Sequence, residues 1–357
     1  SLYDSEVKIL LPSMGIMSSE AMRANFKYFG INSEVLPIYD HNTLKLGRGN
    51  TLCKECLPLQ LCTGALVDYY NNKKNSEEIS LFFMSAGNGP CRLGQYTVFL
   101  ENFIKKNKLK NVGLFTLSDE DGYTGFGSDF FLRGWIAFVI ADVFKNIENA
   151  LRVLAFNKNS ALKIFKLEWE KIQEVISSKP INEIFEQLKL SATILKKIEK
   201  RFSISSAKKV SVIGEIFVRH DEFSKMDLID RLAEKDFVVT VAPISEYVYY
   251  SNYLENKNNP PLTIKDLLYN KIKSFEQKRI ERKIKTILAE TELVEFEMID
   301  IDSVINIASK FISPELEGEA ILTIGTALKE ILNHSCGIIS IGPFGCMPSR
   351  VAESILN

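Results

Sequence analysis

Seven short β-rich apolar runs, interleaved with stretches of helical spacing, constrain this chain most. The first four are Val7–Pro12 (VKILLP), Ser33–Ile38 (SEVLPI), Ile79–Ser85 (ISLFFMS) and Val112–Leu117 (VGLFTL). Between them the apolar spacing predicts helices from about Ser18 to Phe29, Leu57 to Tyr70 and Gln95 to Lys106. Strands that alternate with helices at this spacing pair in parallel, because a parallel neighbour is reached only by a crossover. From about Asp129 to Arg201 no strand-like run occurs, and Trp135, Phe138, Val139 and Val143 recur at helical spacing. A second alternation follows at Lys209–Gly214 (KVSVIG), Phe237–Ile244 (FVVTVAPI) and Gly337–Gly342 (GIISIG). The fold class expected is therefore α/β, with two doubly wound parallel-sheet lobes and a helical insertion. The lobes span 1–126 and 208–357, and the helical region spans 127–207.

The 357 residues agree with about two domains, and 46% apolar with 25% charged residues is the balance of a globular chain. With 44 Lys and Arg against 45 Asp and Glu, whole-chain charge steers the protein toward neither nucleic acid nor an anionic membrane. No apolar run approaches the ~20 residues of a membrane span, and residues 1–12 carry neither a basic leader nor a cleavage site. A cytoplasmic location is expected. Asn256–Pro261 (NKNNPP) reads as a loop, and the basic segment Tyr269–Leu288 as a helix whose charges form a solvated face.

Six cysteines are too few for a disulfide scaffold. In parallel sheets ligands bind beyond the carboxyl ends of the strands, where loops and helix N-termini meet. Cys91, in Gly87–Gly94 (GNGPCRLG), and Cys346, in Gly342–Pro348 (GPFGCMP), both follow strands, in turns rich in Gly and Pro. Cys56, in Cys53–Pro58 (CKECLP), joins them on the same rim. Cys336 precedes its strand, which puts it at the opposite edge as a packing thiol, while Cys53 and Cys62 are spare ligands or bystanders. Three thiols from three loops suit an iron-sulfur cluster better than a closed zinc site, which wants four ligands. Buried thiols without metal remain the competing reading.

Several other side chains sit at ligand-facing strand ends. Glu215 and Arg219, in GEIFVR, read either as an anchor for a carboxylate or phosphate or as a structural ion pair. Glu246 and Tyr249 follow FVVTVAPI, where Ser245 reads as a helix cap. Arg92, beside Cys91, reads as an anion anchor or as a surface guanidinium. The turn Pro12–Ser19 (PSMGIMSS) could hold a phosphate at a helix N-terminus, yet no GxxxxGK[ST] loop exists, so an energy source would have to come from a partner. His41, His220 and His334 form no catalytic pattern.

The segments KECLPLQLCTG (54–64), GPCRLGQY (89–96), GEIFVR (214–219), APISEYVYY (242–250) and PFGCMP (343–348), in that order, resemble the 2-hydroxyacyl-CoA dehydratase component superfamily. The closest likeness is to the C-terminal module of the large acyl-CoA dehydratase activase-related proteins. The resemblance implies flavodoxin-like lobes gripping a 4Fe-4S cluster, with Cys56, Cys91 and Cys346 as ligands. A related branch holds a double-cubane 8Fe-9S cluster on six cysteines. The resemblance also implies an ATP-hydrolysing activase partner of the actin-like sugar-kinase fold. From it the chain would receive single electrons to dehydrate or reduce a small substrate, such as a CoA thioester, with Arg92, Glu215, Arg219 and Glu246 as candidate substrate contacts. Leu59 stands where the family often has another Cys, and Ser349-Arg350 where it often has Gly-Thr. The alternatives are an electron-relay or docking module without substrate chemistry and a metal-free binder of small anions. No nucleic-acid or membrane partner is expected, and a homo- or heterodimer is left open.

Overall fold

Each of the seven β-rich runs forms a strand, and the strands divide into two parallel sheets. The computed structural model describes all residues except 53, 74, 88–89, 119–125, 259, 261–262 and 333–334. The first sheet is built from β1 (Val7–Leu11), α1 (Ile16–Tyr28), β2 (Ser33–Val35), α2 (His41–Asn50), α3 (Leu57–Asn72), β3 (Ile79–Ala86), α4 (Tyr96–Lys106) and β4 (Val112–Ser118), with strand order β2-β1-β3-β4. Three helices follow, α5 (Gly127–Leu154), α6 (Lys158–Ser178) and α7 (Ile181–Lys196). The second sheet takes β5 (Lys208–Gly214), α8 (Ile216–His220), α9 (Leu228–Ala233), β6 (Phe237–Val241), α10 (Ser245–Asn258), α11 (Ile264–Ala289), α12 (Ile301–Ala308), α13 (Glu319–Leu332), β7 (Gly337–Ile341) and α14 (Met347–Leu356), in order β6-β5-β7. Among the described residues no helix is long and apolar enough to cross a membrane.

The period of two along a strand explains how β1 is used. Ile9 and Leu11 pack with Phe26, Ile31 and Phe130 on one face, and Leu10 packs with Phe82, Leu61 and Leu100 on the other. The sheet is thus apolar on both sides, as a parallel sheet requires.

Two local differences from the sequence reading have simple causes. Helix α2 lies in HNTLKLGRGN, whose two glycines and polar residues hide its periodicity. It forms because it packs backbone to backbone on α3: a Cβ at Gly47 would lie 1.9 Å from the Gln60 carbonyl oxygen, and one at Gly64 would lie 2.0 Å from that of Thr43. The loop expected at Asn256–Pro261 starts later, since α10 runs on to Asn258.

Helix α5 is the element both sheets share. Its Asn25-facing end accepts a hydrogen bond at the Phe130 carbonyl from Asn25 of α1 (3.2 Å). Arg133, buried, donates to the Ile176 carbonyl (2.9 Å) and to those of Val175 and Lys179, capping the C-terminus of α6. Further along, Asn146 accepts from the Val241 N–H (2.9 Å) and Asn149 donates to the Val239 carbonyl (3.2 Å). Strand β6 is an edge of its sheet, so these amides occupy backbone groups that would otherwise be left unpaired.

An Asn146→Leu substitution leaves the Val241 N–H buried without an acceptor. We expect a loss of about 1–3 kcal/mol in unfolding free energy, with faster hydrogen exchange at Val241 while the amides of β1 exchange as before. Unchanged exchange at Val241 would refute the edge-capping role.

Candidate functional site

The carboxyl ends of the strands bring Cys56, Cys91 and Cys346 to three equivalent places. Each is the N-cap of the helix that follows it: Cys56 of α3, Cys91 of the short 3-10 helix Arg92–Gln95 that leads into α4, and Cys346 of α14. Both α3 and α14 carry a proline in the first turn, Pro58 and Pro348, where the missing N–H is harmless. Of the three sulfurs, that of Cys91 accepts a backbone N–H from the turn it caps, from Leu93 (3.5 Å), while those of Cys56 and Cys346 make no such bond.

The three loops are tied together by side chains. The Tyr96 hydroxyl, on α4, is hydrogen-bonded to the Cys56 sulfur. Arg92 donates to the Lys54 carbonyl (2.5 Å), which links the Cys91 turn to the segment before Cys56. Gly318, at a φ of +76°, lets Pro90 approach so closely that a Cβ there would lie 3.0 Å from the proline ring. Gly342 does the same beside Cys346, where a Cβ would meet the Ser349 hydroxyl at 2.3 Å.

The electrostatics of the site are set by burial and by acids. The field of Glu215 reaches all three cysteines, and Cys91 and Cys346 each also feel Glu319. Burial pushes the Cys56 and Cys346 thiols upward, opposed at Cys56 by the bond to Tyr96. Cys91 is the exposed member, so solvent screens part of its field, yet the surrounding protein and then Glu215, Glu319 and Cys346 raise its thiol too. Without a ligand these sulfurs are therefore thiols at neutral pH, and a cation that binds them displaces protons.

Behind the thiols lies a cluster of three carboxyl groups and one guanidinium. Arg219, 1% exposed, pairs with Glu246 at 2.7 Å and donates to the carbonyls of Gly214 (2.9 Å) and Pro243 (3.1 Å). Glu215 caps α8 by accepting from Phe217 (3.2 Å) and Val218 (2.9 Å). Burial raises Glu215, Glu246 and Glu319, and in Glu319 the neighbouring Glu215 adds to it. One oxygen of Glu319 is buried without a hydrogen-bond partner.

Of the candidates read from the sequence, Cys56, Cys91, Cys346, Arg92 and Glu215 belong to this constellation. Arg219 and Glu246 lie behind it and are engaged with each other. Cys336 sits at the amino end of β7 as expected, but it is exposed and does not pack. Cys62 is buried in α3, 3.8 Å from the Tyr39 hydroxyl, with its thiol pushed up to about 12 by burial. Cys53 and His334 lie outside the described residues. The N-terminus of α10 is not capped by Ser245. The Asp142 carboxylate of α5 does so, accepting from Ile244 (3.0 Å) and Ser245 (2.9 Å). Nor is the start of α1 free for a phosphate, because Glu222 occupies it, 3.3 Å from the Ile16 N–H. The Tyr249 hydroxyl is turned away to the buried Glu281 (2.7 Å). His220 is buried against the Ala242 carbonyl (3.0 Å), and burial with the charges of Arg219 and Lys225 holds it neutral.

Sequence reasoning missed Tyr96 and Glu319. Tyr96 stands in GPCRLGQY beside a flagged cysteine, whereas Glu319 reads as an ordinary acid at a helix start. Among the described residues no three His, Cys, Asp or Glu side chains converge as a single metal ion would require. Compared with family models, with curated proteins and with solved structures, the chain finds no match.

Two measurements test these electrostatics on protein free of metal. Carbamidomethylation by iodoacetamide, followed by mass spectrometry, should be slower at Cys91 than at a cysteine in an unstructured peptide at pH 8, although Cys91 is exposed. The gap should narrow as pH rises and Cys91 ionises, and equal rates at pH 8 would contradict the raised thiol. The second concerns Glu319, whose folded pKa lies above the 4.5 of an unfolded glutamate. Its stabilising contribution is complete below that value and disappears as pH rises through the folded pKa. Glu319→Gln should therefore raise stability by about 1–3 kcal/mol at pH 8, with a smaller effect at pH 4.5. A loss of stability at pH 8 would show that the carboxylate is ionised and paired.

Proposed function

We propose that this chain is an iron-sulfur protein of the 2-hydroxyacyl-CoA dehydratase component class, with flavodoxin-like lobes and a 4Fe-4S cluster on Cys56, Cys91 and Cys346. In this reading it accepts a low-potential electron from an ATP-hydrolysing partner of the actin-like sugar-kinase fold and uses it on a small substrate, such as a CoA thioester. The single observation that carries the reading is that three cysteines from three distant segments each cap a helix and share the field of Glu215. The likeness of the motifs around those cysteines supports the family assignment.

When bound, the cluster would supply one-electron chemistry and one iron without a protein thiolate. The chain's own residues supply its setting. The backbone N–H of Leu93 donates to the Cys91 sulfur, and the N-termini of α3 and α14 offset negative charge at Cys56 and Cys346. Tyr96 fixes the Cys56 side chain, and Arg92 holds two of the loops in register.

The second reading, an electron relay without substrate chemistry, is favoured by one fact. The Arg219 guanidinium is buried, its charge is matched by Glu246 and its NH groups donate to two carbonyls, leaving only the Nε without a partner. Under that reading Arg219 is a positioning residue.

Iron and acid-labile sulfide per chain, measured on protein prepared without oxygen, decide the cofactor. About four irons with equal sulfide are expected for one 4Fe-4S cluster and about eight irons for a double cubane. Cys56→Ala, Cys91→Ala or Cys346→Ala should each strip the iron, while Cys336→Ala retains it. Protein that stays free of iron after anaerobic reconstitution would defeat the proposal.

A further inference from the structure

Helix α11 changes its polarity halfway along. In its second half Ile280, Ile284, Ile287 and Leu288 are buried in the main core. In its first half the side turned to the protein is polar: Asn270 donates to Asn256 (2.8 Å), Gln277 accepts from Asn252 (3.0 Å), and Lys273 reaches Glu255. The apolar side faces outward, with Ile264 86%, Leu268 57%, Ile272 54% and Phe275 66% exposed. Their spacing of three and four residues, with Leu267 beside them, makes one stripe more than ~100° wide. Single exposed apolar residues need no explanation, but five on one helical face mark an interaction surface.

Charge selects the partner. Helix α11 carries eight Lys and Arg against three Asp and Glu, in a chain whose formal charge is −1. Lys265, Lys271, Lys278 and Arg282 make no ion pair among the described residues. By helical spacing Lys271 and Lys278 run along one side of Phe275, and Lys265 and Arg279 along the other. A second copy docked on this stripe would set these cations against their own equivalents. A flat anionic surface gives every one of them a partner, and the outward stripe an apolar layer to enter. The near-zero whole-chain charge does not oppose this, because a local patch is felt within a Debye length of about 10 Å.

We propose that the first half of α11 is an in-plane docking site for an anionic lipid bilayer, with the Ile264–Phe275 stripe at the acyl boundary and the flanking lysines on lipid phosphates. The inference does not depend on the cluster, so it stands or falls separately from the function proposed above.

The test is co-sedimentation of the full chain with vesicles of phosphatidylcholine alone and of phosphatidylcholine mixed with phosphatidylglycerol. Binding is expected only to the mixed vesicles and should weaken as salt is raised. Ile272→Gln with Phe275→Ser should reduce it roughly tenfold or more, and Lys271→Gln or Lys278→Gln roughly fivefold each. These side chains are exposed, so the thermal midpoint of each variant should match that of the parent. Failure to sediment with the mixed vesicles, or equal binding to the neutral ones, would overturn the proposal. So would a concentration-dependent dimer that Phe275→Ser converts to monomer, since a second copy would then cover the face.

Discussion

Buried backbone groups must find partners, and in this molecule one helix supplies them to both halves. Helix α5 receives α1 through the Phe130 carbonyl, caps α6 with Arg133, caps α10 with Asp142 and closes the edge of β6 with Asn146 and Asn149. Four polar residues thus make these bonds from a helix whose apolar side chains also enter the largest core. Such groups are tolerated there because each makes at least one hydrogen bond, although the Asn149 Oδ1 is left without one. Since α5 touches the second sheet by specific amide bonds, the two rims that carry the cysteines are held at a defined separation.

That separation gives the candidate site its character. Three thiols at three helix starts lie where N–H groups and helix dipoles favour negative charge, while burial and the acids behind them favour the protonated forms. The opposition makes the thiols poor nucleophiles when free and good ligands once a cation replaces the protons. The carboxyl cluster follows the same logic. A single arginine accompanies Glu215, Glu246 and Glu319, so charge is balanced partly by protons held on the acids themselves.

The outward stripe of α11 fits this arrangement as an exception to it. Elsewhere amphipathic helices turn their apolar side to a sheet or to another helix, but here the polar side takes that place through Asn252, Asn256, Asn270 and Gln277. The switch within one continuous helix explains why the segment reads from sequence as nothing more than a charged, solvated surface.

The sequence by itself determined the seven strands, their parallel pairing and the three cysteines on the rim. Those features rest on local physics: a side-chain period of two or of 3.6, Gly and Pro at turns, and the rule that ligands gather at strand carboxyl ends. Tertiary structure alone decided the pairing of Arg219 with Glu246, the capping of α10 by Asp142, the filling of the α1 start by Glu222 and the place of Glu319 beside Glu215. The partners in these pairs stand between 27 and 206 residues apart. No local period links them, and only the packing of the two sheets around α5 brings their charges within range.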